Sequence, residues 1–229
     1  MGNTGIKSYR KQDTKAEQQL AAFMDKYFYN KLDTTYKRVT DPEMQLKGVD
    51  VIIGPDSVKI DEKASLYYSN VMIPTFVFEL DFMSGNVSHT GWYLNESLLT
   101  DYYMLIWPNV RDSFDKKLNK WVRKDVSEIM INDFTIVEAM LVEKKKINEE
   151  FTRRMLTADR LLKYVEAIRM ASDKSKYTEG YRLDDDIKIM LSEKLNERPI
   201  NLVVNKRLLY NVADRVYLIS QDGFANVKR

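Results

Sequence analysis

The sequence predicts an α/β fold: a mixed central sheet that opens on a helix and a β-hairpin, is flanked by helices, and runs on into an α/β C-terminal extension. Residues 14–32 repeat Leu20, Phe23, Met24, Tyr27 and Phe28 at helical spacing, with Asp13 or Thr14 as N-cap, so an amphipathic helix with its apolar stripe on the sheet is expected. Residues 49–53 and 58–60 are mostly β-branched and enclose the turn formers Gly54-Pro55-Asp56-Ser57, which spells a hairpin with a four-residue loop. Residues 75–82, TFVFELDF, alternate apolar and polar, and residues 102–107, YYMLIW, form a dense run suited to a central strand buried on both faces.

The composition fits a single domain, with the core over about 12–142 and the extension over about 143–229. The 229 residues hold 44% hydrophobic and 11% aromatic side chains, enough for a sizeable core, and no linker divides them. The net charge of +2 leaves any nucleic-acid surface to local clustering. With no cysteine and His89 as the one histidine, thiolate chemistry and multi-histidine metal sites are excluded, and a metal would need oxygen ligands, which favours Mg²⁺ or Mn²⁺. The N-terminal stretch 1–10 is polar and expected to fray, and no run of apolar residues is long enough to cross a membrane, so a soluble, cytoplasmic protein is expected.

A four-residue loop fixes the hairpin register: Ile53 pairs with Val58, Ile52 with Lys59 and Val51 with Ile60. Continued, it sets Asp50 opposite Asp61 and Gly48 opposite Lys63. By alternation Asp50, Asp61 and Lys63 share one face, while Glu62 falls on the apolar face with Val51 and Ile60. Like charges on directly opposed residues, with Cβ atoms ~5 Å apart, are unfavourable unless a positive charge lies between them. A divalent cation with Lys63 beside it would supply that charge, and two carboxylates with a lysine suit metal-assisted phosphodiester hydrolysis. A solvated polar hairpin face, with Lys59 and Lys63 neutralising the aspartates, is the plainer alternative.

The pattern Asp50-x10-Asp61-x-Lys63 behind a helix resembles the active-site signature of the PD-(D/E)xK nucleases, with their restriction-endonuclease-like fold. In that family the first acid lies near a strand end, and the second acid and the lysine lie on the next strand; here Val49-Asp50 stands where the signature has Pro-Asp. The resemblance implies a Mg²⁺-dependent endonuclease of the restriction or mobile-element kind, with double-stranded DNA as partner. It implies Asp50 and Asp61 as metal ligands, the Glu62 carbonyl as a further ligand, and Lys63 as the group that orients water or neutralises charge. It also implies Glu17 as an accessory acid beside the metal; the alternative for Glu17 is a charge complementing the helix dipole. The runs ELDF, GWYLN and TDYYMLIWP, within 31–108, are similar to phage and plasmid proteins that carry the same hairpin motif.

The rest of the chain is read by period. Residues 35–39 are a short β-branched stretch broken by Asp41-Pro42, and a strand is expected from Met44. Residues 75–82 are expected beside the Asp-x-Lys strand, from where Glu79 could approach the metal. The stretch from Ser84 to Glu96 reads as irregular, with His89 either exposed or in contact with a phosphate or base. Residues 112–124 are basic and polar, with Trp121 as their main anchor. Residues 135–142 read as a strand or the start of a helix, and 143–172 as a helix that exposes Lys145, Arg153, Arg154 and Arg160. Those cations form either a DNA-backbone surface or an ordinary solvated face, since acids interleave with them. A short helix over 187–195, a strand over 200–204, a helix over 206–213, a strand over 216–219 and a polar tail complete the prediction. Alternatives to the nuclease are a non-catalytic nucleic-acid-binding protein of the same fold, or an interaction protein whose aromatic-rich strands serve a partner or a homodimer.

Overall fold

The computed structural model describes residues 10–228, with side chains from Lys15 onward. The remainder of the N-terminal stretch expected to fray lies outside the described residues. In chain order the elements are α1 (Arg10–Tyr27), β1 (Tyr36–Arg38), α2 (Pro42–Leu46), β2 (Val51–Ile53), β3 (Val58–Ala64), β4 (Thr75–Ser84), β5 (Val87–Thr90) and β6 (Tyr102–Val110). There follow β7 (Ser113–Asp115), β8 (Lys120–Val122), β9 (Phe134–Glu143), α3 (Lys144–Arg153), α4 (Ala158–Met170), α5 (Ser175–Thr178) and β10 (Tyr181–Arg182). The chain closes with β11 (Ile187–Leu191), β12 (Ile200–Asn205), α6 (Lys206–Val212), β13 (Arg215–Ser220) and β14 (Gly223–Asn226).

These elements form two compact units, one of residues 10–73, 99–144 and 213–228, the other of residues 74–98 and 145–212. The first is built on a mixed seven-stranded sheet in the order β1-β2-β3-β6-β9-β13-β14, in which β3 and β6 are the parallel pair and all other neighbours are antiparallel. Its core lies under α1, where Leu20, Phe23 and Met24 bury against Val51, Ile60, Met104, Ile106 and Phe134. That is the stripe the helical spacing predicts. The run 102–107 is the central strand β6, buried on both faces as its unbroken apolar pattern requires, and it continues through Pro108 to Val110. The second unit holds an antiparallel five-stranded sheet in the order β10-β11-β12-β4-β5, together with α3 to α6.

Several expectations are corrected. The helix α1 is already formed at Arg10, so Asp13 and Thr14 lie inside it and neither is its N-cap. The strand expected from Met44 is the helix α2: Asp41 caps it by accepting from the Glu43 amide and Pro42 takes its first turn, where its missing N–H is harmless. The strand β4 does not adjoin the Asp-x-Lys strand; it pairs with β12 and β5 in the five-stranded sheet, and Glu79 lies opposite Asn201 there. The neighbour of β3 is β6. The irregular stretch after Ser84 contains β5, hairpin partner of β4. The single helix over 143–172 is two, α3 and α4, separated where Met155 takes φ 63°. The helix over 187–195 is the strand β11, whose Ile187, Ile189 and Leu191 bury alternately, a period of two read as an amphipathic helix. The polar tail forms β14, which folds back on β13.

Candidate functional site

The β2–β3 hairpin forms with the register that its turn dictates, Val51 opposite Ile60, Ile52 opposite Lys59 and Ile53 opposite Val58. Beyond Val51 the pairing departs from the expected continuation. The Asp50 amide donates to the Ile60 carbonyl at 2.9 Å, one residue short of Asp61, and the Asp50 Oδ2 accepts the Glu62 amide at 2.8 Å. Asp50 is therefore not directly opposed to Asp61, and its carboxylate folds over the β3 main chain. The approach to it is equally fixed: α2 is followed, past Lys47, by Gly48, whose φ of 70° suits glycine, and the Asp50 carbonyl accepts from the Val39 amide at 2.9 Å.

Asp61 and Lys63 project together from β3, with Lys63 Nζ 2.6 Å from Asp61 Oδ1. Asp61 is only 1% exposed, and among the described residues its Oδ2 accepts no hydrogen bond. Burial pushes the Asp61 carboxyl up to about 7; Lys63 opposes that rise and the Asp50 carboxylate adds to it. For Lys63, burial acts to lower the pKa, but Asp61, Asp50 and Glu17 outweigh it, so the ammonium stays charged at neutral pH.

Glu62 lies on the other face, as alternation predicts, and its carboxylate is already occupied. It pairs with Arg38 and accepts from the Tyr29 hydroxyl at 2.8 Å, while Arg38 also grips Asp25 of α1 at 2.7 Å. Burial raises the Glu62 pKa and Arg38 counteracts it. Arg38, Asp25 and Tyr29 are absent from the sequence-based site. The signal was present, because a glutamate predicted on an apolar face requires a cationic partner.

A cavity of about 380 Å³ opens at this place, lined by Glu17, Gln18, Arg38, Gln45, Asp50, Glu62 and Lys63 among others. Asp61 does not line it. Glu17 lies in the middle of α1, away from the first turn where a dipole-complementing charge would act, and the structure brings it to the same cavity as Asp50 and Lys63. Among the described residues no three acidic or histidine side chains converge as a ready-made metal cage. Of the expected ligands, Asp50 and the unpartnered Oδ2 of Asp61 could hold an ion, and Glu17 lies at the same cavity as Asp50. Two carboxylates with open positions for water suit Mg²⁺, which commonly keeps several of its waters.

The cations expected to meet DNA belong to the five-stranded unit and are mostly engaged there. Arg153 chelates Glu150, with its Nη2 at 2.6 Å, and Lys145 lies 3.8 Å from Glu149. Arg154 bridges Glu150 and Asp184, each at 2.7 Å, and reaches Asp186 at 3.4 Å. Arg160 donates to the Met155 carbonyl at 3.1 Å and stands over the Tyr164 ring. His89 stacks on Phe82 across the β4–β5 hairpin. The chain matches no family model, no curated protein and no solved structure.

Proposed function

We propose that the chain hydrolyses phosphodiester bonds in DNA as a Mg²⁺- or Mn²⁺-dependent endonuclease of the restriction or mobile-element kind, with a restriction-endonuclease-like core in its seven-stranded unit. The observation that carries this reading is the buried, unpartnered Oδ2 of Asp61 in a carboxylate that shares its surroundings with Asp50 and is bridged by Lys63. A buried carboxylate oxygen without a donor is costly, and the raised pKa is the response to it. A cation held by Asp50 and Asp61 would relieve the same deficit. The helix α1 ahead of the hairpin, Asp50 just before β2, and Asp61 and Lys63 on β3 support the fold reading.

When bound, such an ion polarises the phosphate and lowers the pKa of an attached water. Hydrolysis adds the water oxygen to phosphorus and breaks one P–O ester bond. Asp50 contributes rigidity, since its amide, carbonyl and Oδ2 are all hydrogen bonded. The ammonium of Lys63, kept charged by Asp61, neutralises charge that grows on the phosphate or orients the attacking water.

A second reading has its own observation. Glu62, Arg38 and Lys63 already have partners within the chain and Asp61 does not line the cavity, which suits a non-catalytic nucleic-acid-binding protein of the same fold. Supercoiled plasmid incubated with the protein in Mg²⁺ or Mn²⁺, beside an EDTA control, separates the two. Metal-dependent nicking or linearisation is expected; binding without cleavage in either metal would select the second reading.

A further inference from the structure

The strands β7 and β8 form a two-stranded ribbon that pairs with neither large sheet. Phe114 lies opposite Trp121, and the two rings meet edge to face at 5.6 Å on one side of the ribbon. Both are exposed, Trp121 at 66% and Phe114 at 46%, so Trp121 is not the anchor that the basic stretch around it suggests. Residues 111–125 carry six Lys and Arg against three Asp, more net positive charge than the whole chain. Lys116 and Lys117 sit in the turn, Lys120 on β8 and Arg123 just past it, and among the described residues none of these four forms an ion pair. An exposed aromatic pair beside unneutralised cations is a poor surface for water alone. It has the two features that bind single-stranded nucleic acid: charges to track phosphates and π-faces on which any base can stack.

We propose that the β7–β8 ribbon is a nucleic-acid-binding arm that holds a single-stranded stretch by its phosphates and stacks an unpaired base on Trp121 and Phe114. The inference rests on, and deepens, the reading of the chain as a nucleic-acid hydrolase. A duplex keeps its bases stacked on one another, so the aromatic faces favour a single strand. The ribbon also continues the strand that flanks the candidate site. Lys63 lies opposite Leu105 of β6, and β6 runs on to Val110, roughly 17 Å further at ~3.3 Å per residue, before β7 begins. A membrane-binding segment would show a broader apolar face with its cations on the opposite side.

The test measures binding of labelled oligo(dT), a blunt duplex of equal length, and phosphatidylserine vesicles across a salt series in Ca²⁺, for wild type, F114A/W121A and K116Q/K117Q/K120Q. The expected result is preference for oligo(dT) with quenching of tryptophan fluorescence, and a loss of about tenfold or more in affinity for the aromatic variant. The lysine variant, which leaves the aromatic pair in place, should flatten the log affinity against log salt slope by about 2, at about 0.7 per phosphate contact on a single strand. Oligo(dT) binding unchanged in both variants, preference for the duplex, or binding to vesicles alone would overturn the proposal. Ribbon-dependent oligo(dT) binding without plasmid cleavage in any divalent cation would remove the catalytic reading and leave the arm standing. Metal-dependent cleavage with oligo(dT) affinity untouched by either variant would do the reverse.

Discussion

Two hairpins of the seven-stranded unit are both rich in charge, and they hold it in opposite ways. Around the Asp-x-Lys segment of β2–β3 the charged groups are buried or half-buried and paired: Lys63 with Asp61, Glu62 with Arg38 and Tyr29, Asp50 with the Glu62 amide. In β7–β8 they stand in water, and Lys116, Lys117, Lys120 and Arg123 have no ion-pair partner among the described residues. Burial forces a charge to find a partner, so a single oxygen left over, as on Asp61, marks a place where a ligand would be bound strongly. Exposure forces nothing, and there four cations without an ion-pair partner among the described residues are what the proposed polyanion would meet. The helices α3 and α4 teach the complement: many basic residues, most of them already matched within their own unit.

The largest effect that would sharpen the contrast is on cleavage. Lys63→Ala is expected to reduce plasmid cleavage by on the order of 10² to 10³, the scale seen when one transition-state charge stabiliser is removed. Oligo(dT) affinity at the ribbon should stay as it was. The substitution also leaves Asp61 buried without its cation, so the variant needs a check of its fold. A rise in melting temperature on adding Mg²⁺, retained in the variant, supplies it. Full cleavage by Lys63→Ala would remove the lysine from the mechanism.

Next in size is Arg38, which ties β1 to α1 through Asp25 and neutralises Glu62. Breaking a largely buried pair from one side typically costs about 3 to 5 kcal/mol, because the other charge is stranded. Urea unfolding of Arg38→Met should show a loss near the lower end, since both side chains keep some contact with solvent. A loss under about 1 kcal/mol would mean that the network does not hold the hairpin.

Metal linkage comes third. A ligand that binds only the folded state adds about 2.7 kcal/mol at a hundred times its dissociation constant. Thermal unfolding of wild type with and without Mg²⁺ or Mn²⁺ should show such a gain, and Asp50→Asn should abolish it. Equal shifts in the two proteins would exclude Asp50 as a ligand.

The pH dependence follows from Asp61. Its folded pKa of about 7 lies above the unfolded value of about 3.9, so between these limits the native state holds a proton that the unfolded chain has shed. Its contribution to stability is therefore complete below about pH 4 and is lost as pH rises through 7. Metal-free stability should decline over that window, and Asp61→Asn should flatten the decline. The Mg²⁺-induced shift should grow from pH 6 to pH 8, because the ion competes with that proton. A metal shift independent of pH would show that Asp61 is not where the ion binds.

Much of this was legible in the sequence where the cause is local. The turn Gly54-Pro55-Asp56-Ser57 sets the β2–β3 register without help from the rest of the chain, and Tyr102 to Trp107 can satisfy its apolar pattern only at the centre of a sheet. Asp50 was misplaced by one position because its own carboxylate takes the Glu62 amide, a competition that strand alternation does not contain. The helix α2 around Met44 also has a local cause, since Asp41-Pro42-Glu43 is a helix start as well as a strand break. The place of β4 has none: which sheet a strand joins depends on β12, more than a hundred residues later in the chain. The Arg38 to Glu62 pair is long-range as well, although the need for it could be read from Glu62.

The smallest expected effect concerns the helix that the sequence favoured as the DNA surface. Arg153 and Lys145 are exposed and each already faces a glutamate on the same helix, three or four residues away, an arrangement worth only ~0.3 to 0.5 kcal/mol at such sites. Replacing both with Gln should change the urea midpoint barely at all. It should also leave the salt dependence of duplex binding unchanged, because the charge of each cation is already offset by a glutamate of the same helix, Glu150 for Arg153 and Glu149 for Lys145. If these two cations do contact the backbone, the slope of log affinity against log salt should fall by about 0.9 for each. A decrease near 2 would return α3 to the binding surface and make the ribbon one of two arms; no decrease leaves Lys116, Lys117, Lys120 and Arg123 of the ribbon as the proposed phosphate contacts.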